Sequence, residues 1–299
     1  MTPPPADRVA PLLQQRIKAI FRRLPKALAG GEEDLHQMRV TGRRLRVALP
    51  LLVRKPEGRR ARRSLRLLRE LTRAGGISRD LDVSVTLFEA ELSKGVMTPE
   101  DVVVRRRLKA ARTRGHARMA EALLDLEIAR LRRDLRVLAR RGDGVFAVLR
   151  RIREMRDGQG AETLALIAAI GDRFDPLELH RLRRQVRRLR YAAELSGALK
   201  GQVAAAAADF RALQDELGRL HDTYVLSEWL RRQAESCRAR GDTAVGNAAA
   251  ALHERFLEAS RAHHKAFLAL PPADVVARAL AAMGQERIPY AMGYAPKSS

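Results

Sequence analysis

LHQMRVTGRRLRVAL, residues 35–49, and LHRLRRQVRRLRYAA, residues 179–193, are one pattern written twice. At an offset of 144 they match His36 with His180, Arg39 with Arg183 and Arg43 with Arg187. The runs Arg44-Leu45-Arg46 and Arg188-Leu189-Arg190 then coincide. Neither copy holds a proline and only Gly42 interrupts them, so both read as helices. At 3.6 residues per turn, His36, Arg39, Arg43 and Arg46 share a sector of roughly 80°, with Met38, Leu45, Leu49 and Leu52 opposite. His180, Arg183, Arg187 and Arg190 oppose Leu182, Val186 and Leu189 in the same way. Four cations at this spacing repel one another. An ordinary solvated face would intersperse carboxylates, so the pattern points to two surfaces built for a polyanion.

Composition agrees. The 299 residues suffice for one or two substantial cores, and 46% hydrophobic with 4% aromatic residues favours a helical globule over β structure. The formal net charge is +23, and most of the cations are arginine, whose planar fork grips phosphate oxygens two at a time. A GC-rich genome also raises arginine content; placement on single helix faces is the sign of function. One cysteine, Cys237, excludes a disulfide framework and a thiolate metal site. The opening MTPPPADRVA lacks the apolar stretch of a signal peptide, and no run is long enough to span a bilayer, so a cytoplasmic protein is expected.

In chain order, residues 1–5 form a loose lead-in with Asp7 as a cap, followed by a helix over 9–28. The first motif helix begins at 32–34, where acids meet its positive end, and runs to about residue 53. A further helix covers 59–74, and Gly75-Gly76 predicts a turn into a helix capped by Ser78 or Asp80. Thr98-Pro99 opens a long helical segment to residue 141, and Gly142-Asp143-Gly144 marks the boundary between halves. Helical stretches follow over 145–170 (with a break near Gly158–Gly160), from Asp175-Pro176, over 203–218, 222–240 and 243–270, and after Pro272. The tail 285–299 reads as loose. AGGISRDLDV and ELGRLHDTYV superimpose at an offset of 142, pairing Gly76, Asp80 and Val83 with Gly218, Asp222 and Val225. An offset held within two residues over that span indicates a duplicated half. The expected fold is all-α: one domain over 6–284 made of two antiparallel helical bundles, 6–142 and 143–284, related by a pseudo-twofold about a basic central groove.

LHQMRVTGRRLR (35–46), SRDLDV (78–83), LHRLRRQVRRLRYAAEL (179–195) and LQDELGRLHDTYV (213–225), in this order and spacing, resemble the CHAD family, named for conserved histidines in an α-helical domain. The resemblance spans most of the chain. It implies an all-α double bundle that binds inorganic polyphosphate along a basic cavity, with association to polyphosphate granules. Members are often fused to a CYTH triphosphatase domain, whose Glu-x-Glu-x-Lys strand is missing here, so a stand-alone member is expected. Two departures stand out: Gly42 within the first motif helix, and His221 where the first half has Arg79.

The candidate polyanion ligands are His36, Arg39, Arg43, Arg46, His180, Arg183, Arg187 and Arg190. A lone histidine on a helix is usually a packing residue, but these two lie within arginine stripes in both repeats, and an imidazole donates one hydrogen bond when neutral and two when charged. Tyr191 shares that side, where its hydroxyl reaches phosphate or simply packs. Two further stripes are weaker candidates: Arg62, Arg66, Arg69 and Arg73 (beginning with Arg59), and Arg105, Lys109, Arg112 and His116. Their sparser second-half counterparts are Arg211, Arg261 and Lys265. Asp80, Asp82 and Asp222 read as acids that orient arginines rather than bind metal.

His221-Asp222 also suits an HD-type metal-dependent phosphohydrolase, yet the matching Arg79-Asp80 carries an arginine that cannot ligate metal. With no P-loop and no zinc spacing, neither catalysis, metal nor cofactor is expected. Nucleic acid is the rival partner, since +23 attracts it non-specifically. An RNA-recognition signature is missing, however, and few aromatics lie near the stripes to stack bases.

Overall fold

The computed structural model describes residues 9–29, 31–140, 142–202 and 204–285. The expected loose segments at 1–5 and beyond Gln285, and the cap at Asp7, lie outside them. The described residues form ten helices and no strand: α1 Val9–Leu28, α2 Glu32–Leu52, α3 Arg59–Leu92, α4 Pro99–Leu124, α5 Ile128–Ala139, α6 Val145–Ile170, α7 Pro176–Lys200, α8 Ala205–Ala239, α9 Thr243–Leu268 and α10 Pro272–Gln285. Among them, no single helix is long and apolar enough to cross a membrane.

Local chemistry places several helix starts where the sequence puts them. Thr98 accepts from the Asp101 N–H while Asp101 accepts from Thr98, a reciprocal capping box ahead of Pro99. Asp175 accepts from the N–H groups of Leu177 and Glu178, and Pro176 occupies the first turn, where it sacrifices no hydrogen bond. Removing either cap should cost about 1 kcal/mol.

Four expectations about helix boundaries are corrected. Gly75-Gly76 is not a turn, and Ser78 and Asp80 are not caps: α3 runs unbroken through them. A β-carbon on Gly75 would lie 3.0 Å from Leu35 and from Arg39 of α2, so glycine there admits the neighbouring helix. The expected helices at 203–218 and 222–240 are likewise one, α8. α6 continues through Gly158 and Gly160, where a β-carbon on Gly160 would press into Leu280 of α10 at 2.7 Å. Conversely, the segment expected to be helical from 99 to 141 divides at Asp125–Glu127, which frees α5 to pack on α1 and α3 while α4 packs on α3 and α9. Gly42 serves close approach as well, facing the Thr72 methyl of α3.

The first five helices pack as α1–α2, α2–α3, α3–α4, α3–α5 and α1–α5. The second five pack as α6–α7, α7–α8, α8–α9, α8–α10 and α6–α10, which is the same scheme. Counterparts also touch each other across the molecule: α2 on α7, α3 on α8, α4 on α9. The apolar stripes of the motif helices, including Leu45 and Leu189, are fully buried. Each such leucine contributes about 1.5–3 kcal/mol by leaving water. Both apolar cores draw on both halves. One gathers the apolar faces of α1, α2, α5, α6, α7 and α10 with the first parts of α3 and α8 and the end of α4. The other joins Phe88 of α3 and Val104 and Leu108 of α4 to Leu226 and Leu230 of α8 and Leu252 of α9. At the boundary between halves, Arg151 donates to the carbonyls of Leu51 and Val53 at 2.8 Å and pairs with Asp143, fastening α6 to the end of α2.

Candidate functional site

The structure brings the two motif helices together, polar face toward polar face, flanked by the middle of α3 and of α8. Arg39 on α2 approaches Asp80 on α3 at 4.0 Å, and Arg183 on α7 approaches Asp222 on α8 at 3.8 Å. Gly76 and Gly218 match between the halves: the Arg39 and Arg183 forks lie 3.8 and 3.9 Å from where their β-carbons would be, an ordinary contact in each. The Nε atoms of both arginines are buried without a hydrogen-bond partner among the described residues. Each fork is thus held by one carboxylate at long range and retains donors.

The electrostatics join the halves. Burial lowers the Arg39 pKa to about 10, with Arg43 and then Arg79 and Arg183 opposing its charge and Asp80 favouring it. Arg187 falls to about 9, chiefly through burial and then through Arg43 and Arg183. Arg43 is lowered by burial first, and feels Arg183 from the other half as well as both Asp80 and Asp222. Burial raises Asp80 and Asp222, against the pull of Arg39 and Arg183 respectively. Asp80 is also 47% exposed on its side chain, so it sits at the rim with water on one side and cations on the other. Among the described residues the cations outnumber the acids at this centre, and burial strips hydration from Arg39, Arg43 and Arg187.

The histidines differ between halves. His180 Nδ1 lies 3.2 Å from His221 Nδ1, with ring centroids 4.4 Å apart. One ring must donate and the other accept, so the pair holds a single proton between the two nitrogens. Burial and then Arg183 depress both, His180 to about 4 and His221 to about 2. His36 has Arg79 as its neighbour instead, and burial followed by Arg79 lowers it too. Of the His221-Asp222 pair, His221 faces His180 and Asp222 faces Arg183.

Other candidates lie elsewhere. Arg46, at the end of its stripe, donates to Thr72 Oγ1 at 3.1 Å and senses Arg69 and Arg184, so Arg69 borders the cluster. Arg190 is 8% exposed and turns away to Glu194 at 3.4 Å, which also takes Arg44 at 3.1 Å. Tyr191 is buried between these two, 5.0 Å beneath the Arg190 guanidinium and 5.6 Å from that of Arg44, and it neighbours Arg43 and Arg187. Arg62, Arg66 and Arg73 are exposed, and Arg66 pairs with Glu70 at 3.1 Å. The α4 stripe is spent on acids of the first half. Arg105 and Lys109 each reach Glu89 at 2.8 Å, His116 reaches Asp82 at 2.8 Å, and Arg112 pairs with Asp82 and Glu32. Asp82 therefore orients the α4 cations, not those of the motif helices. Arg211 and Lys265 are exposed, and Arg261 lies by Glu258 at 3.6 Å and the Phe174 ring. Arg79 is the cluster member that sequence reasoning passed over as a site residue; its signal was its alignment with His221, one residue before an acid in both halves.

These features define an all-α protein with a histidine–arginine centre fed by four helices. The model of the CHAD domain matches residues 11–231, and the chain belongs to the CHAD family. It resembles the crystal structure of the CHAD domain from the plant Ricinus communis, with a TM-score of 0.61, 23% identity, and 95% of this chain and 93% of that one covered. PptA from Streptomyces chartreusis is similar at a TM-score of 0.67 and 18% identity, covering 89% and 100%. The uncharacterized protein MT2285 of Mycobacterium tuberculosis (strain CDC 1551 / Oshkosh) is 28% identical over 259 residues, which are 80% of this chain and 48% of that protein. The chain thus spans about half the length of that curated relative.

Proposed function

We propose that this chain binds inorganic polyphosphate, without hydrolysing it, in a central groove to which both halves contribute. The observation that carries the reading is the convergence of Arg39, Arg43, Arg183 and Arg187 from α2 and α7, close enough that the charge of each half burdens the other. Such a centre is unfavourable alone and becomes favourable around a dense line of negative charge. Membership of a family linked to polyphosphate binding supports it. The donors are Arg39, Arg43, Arg183 and Arg187 with His36, His180 and Arg79; Asp80 and Asp222 hold the forks of Arg39 and Arg183 at the edge. The matching helix contacts of the two halves support a pseudo-twofold between them, and one unbroken phosphate chain crossing it would touch both motif helices. The unit that performs this is the whole span 6–284, and a place on polyphosphate granules follows from the same chemistry.

A cleft lined by arginine forks suits a thin flexible phosphate chain better than a duplex, whose width is about 20 Å and whose grooves are read by other means. Competition tests this. Polyphosphate should displace a labelled DNA duplex at equal phosphate concentration and matched salt, and no orthophosphate should be released with Mg²⁺ or Mn²⁺ present. Duplex that holds its place, or metal-dependent release abolished by Asp222→Ala, would overturn the reading.

A further inference from the structure

A second cationic surface lies away from this centre, along the seam of α1 and α5. It is a groove of about 750 Å³ that runs into a neighbouring one of about 630 Å³, sharing Phe21, Arg132, Arg136 and Arg140. The floor is apolar, made by Ile17, Phe21, Leu24, Ile128, Val137 and Ala139. The banks are Lys18, Arg22, Arg132, Arg133, Arg136 and Arg140, all exposed. No carboxylate lines either groove, and none of these six cations has an ion-pair partner among the described residues. α1 contains no acid, and the one acid of α5, Asp134, is buried and turned to Arg60 and Arg63 of α3. The α4 stripe shows the alternative, because there each cation has found an acid.

We infer that this seam is a docking groove for an acidic amphipathic helix of a partner protein. Charge complementarity selects an acidic partner, since six cations border a strip with no acid of its own. The floor selects an amphipathic one: Phe21 is half-buried with Arg132 5.6 Å over its ring, a surface that polyphosphate alone would leave without apolar cover. From Gln14 to Pro25 the seam runs about 17 Å, or three helical turns. A helix bringing apolar residues at i, i+3, i+4 and i+7 would cover that floor and set its acids against both banks. A flat bilayer fits poorly, because the apolar strip is recessed between two rows of cations.

The test is fluorescence anisotropy on the full chain with a labelled Leu/Glu peptide of about 18 residues that forms an amphipathic helix. A scrambled isomer of equal charge is the control. The helical peptide should bind at least tenfold tighter than its isomer. Arg132→Glu with Arg136→Glu should lower its affinity at least tenfold while leaving far-UV circular dichroism and polyphosphate affinity unchanged. Phe21→Ala should weaken the helical peptide and leave the isomer untouched. Equal binding of both peptides would reduce the seam to a patch of charge and overturn the inference. So would anionic vesicles of phosphatidylglycerol held through Arg132 and Arg136 when the peptide is not.

Discussion

Arg43 and Arg187 hold their charge in a setting that opposes it. Burial lowers both, and across the halves Arg43 then opposes the charge of Arg187 while Arg183 opposes that of Arg43. His180 and His221 sit in the same field and are neutral near pH 7, with pKa values of about 4 and about 2. An unfolded chain protonates its histidines near pH 6.5. Between pH 6.5 and 4 the unfolded state therefore binds more protons than the folded one, so stability without ligand falls as pH falls through that window. A bound polyanion reverses the field at His180 and raises its pKa, so binding takes up protons and tightens on acidification. Titration calorimetry in buffers of different ionisation enthalpy should register proton uptake at pH 5.5 and almost none at pH 8. His180→Gln with His221→Gln should reduce the difference, and adding His36→Gln should abolish it. An affinity independent of pH in the parent chain would show that the histidines do not face the ligand.

At the scale of the helix, two adjacent glycines separate the turn reading from the observed one. Inside a helix, alanine is favoured over glycine by about 1 kcal/mol. Gly158 has open space around it, and Gly76 would put a methyl in ordinary contact with Arg39 at 3.8 Å. Gly158→Ala and Gly76→Ala should each raise stability by up to about 1 kcal/mol in a urea titration. Gly75→Ala should not, because its methyl would meet Leu35 and the Arg39 stem at 3.0 Å. It should instead displace Arg39 and weaken polyphosphate binding. A loss of stability in Gly158→Ala would contradict an unbroken α6.

The helices and the apolar stripes of the motif helices were legible in the sequence, because the heptad-like spacing of Met38, Leu45 and Leu182 leaves one face of each motif helix to bury. The breaks were not legible. A glycine inside a helix and a glycine in a turn look alike until the neighbour that needs the space, such as Leu280 against Gly160, is known. Ion pairing was equally hidden. Whether Arg105 meets phosphate or Glu89 depends on a partner 16 residues away on another helix, and nothing in the α4 pattern distinguishes the two.

Across the molecule, both cores draw on both halves, so each half alone would expose apolar surface that the other covers. A fragment covering residues 1–142 should therefore melt below the whole chain by circular dichroism, whereas an equal melting temperature would mean separable bundles. The whole chain should bind polyphosphate with affinity that falls steeply with salt. Each neutralised phosphate contributes a log–log slope of about −0.7 if the polymer behaves as a single strand.

The central claim is that the two halves grip one phosphate chain at a centre strained by its own charge, and Arg43→Gln and Arg187→Gln test it most directly. Both side chains are half-buried, and neither has an ion-pair partner among the described residues, so the substitutions spare the core. Calorimetry with a long polyphosphate should show each variant weakened by about 1.5–3 kcal/mol, the worth of charge-assisted bonds. The double variant should depart from additivity by more than about 0.5 kcal/mol, because the two residues share a ligand. Without ligand, each single variant should melt above the parent, since one repelling neighbour is gone. Unchanged affinity, or losses that simply add while melting temperatures fall, would contradict it.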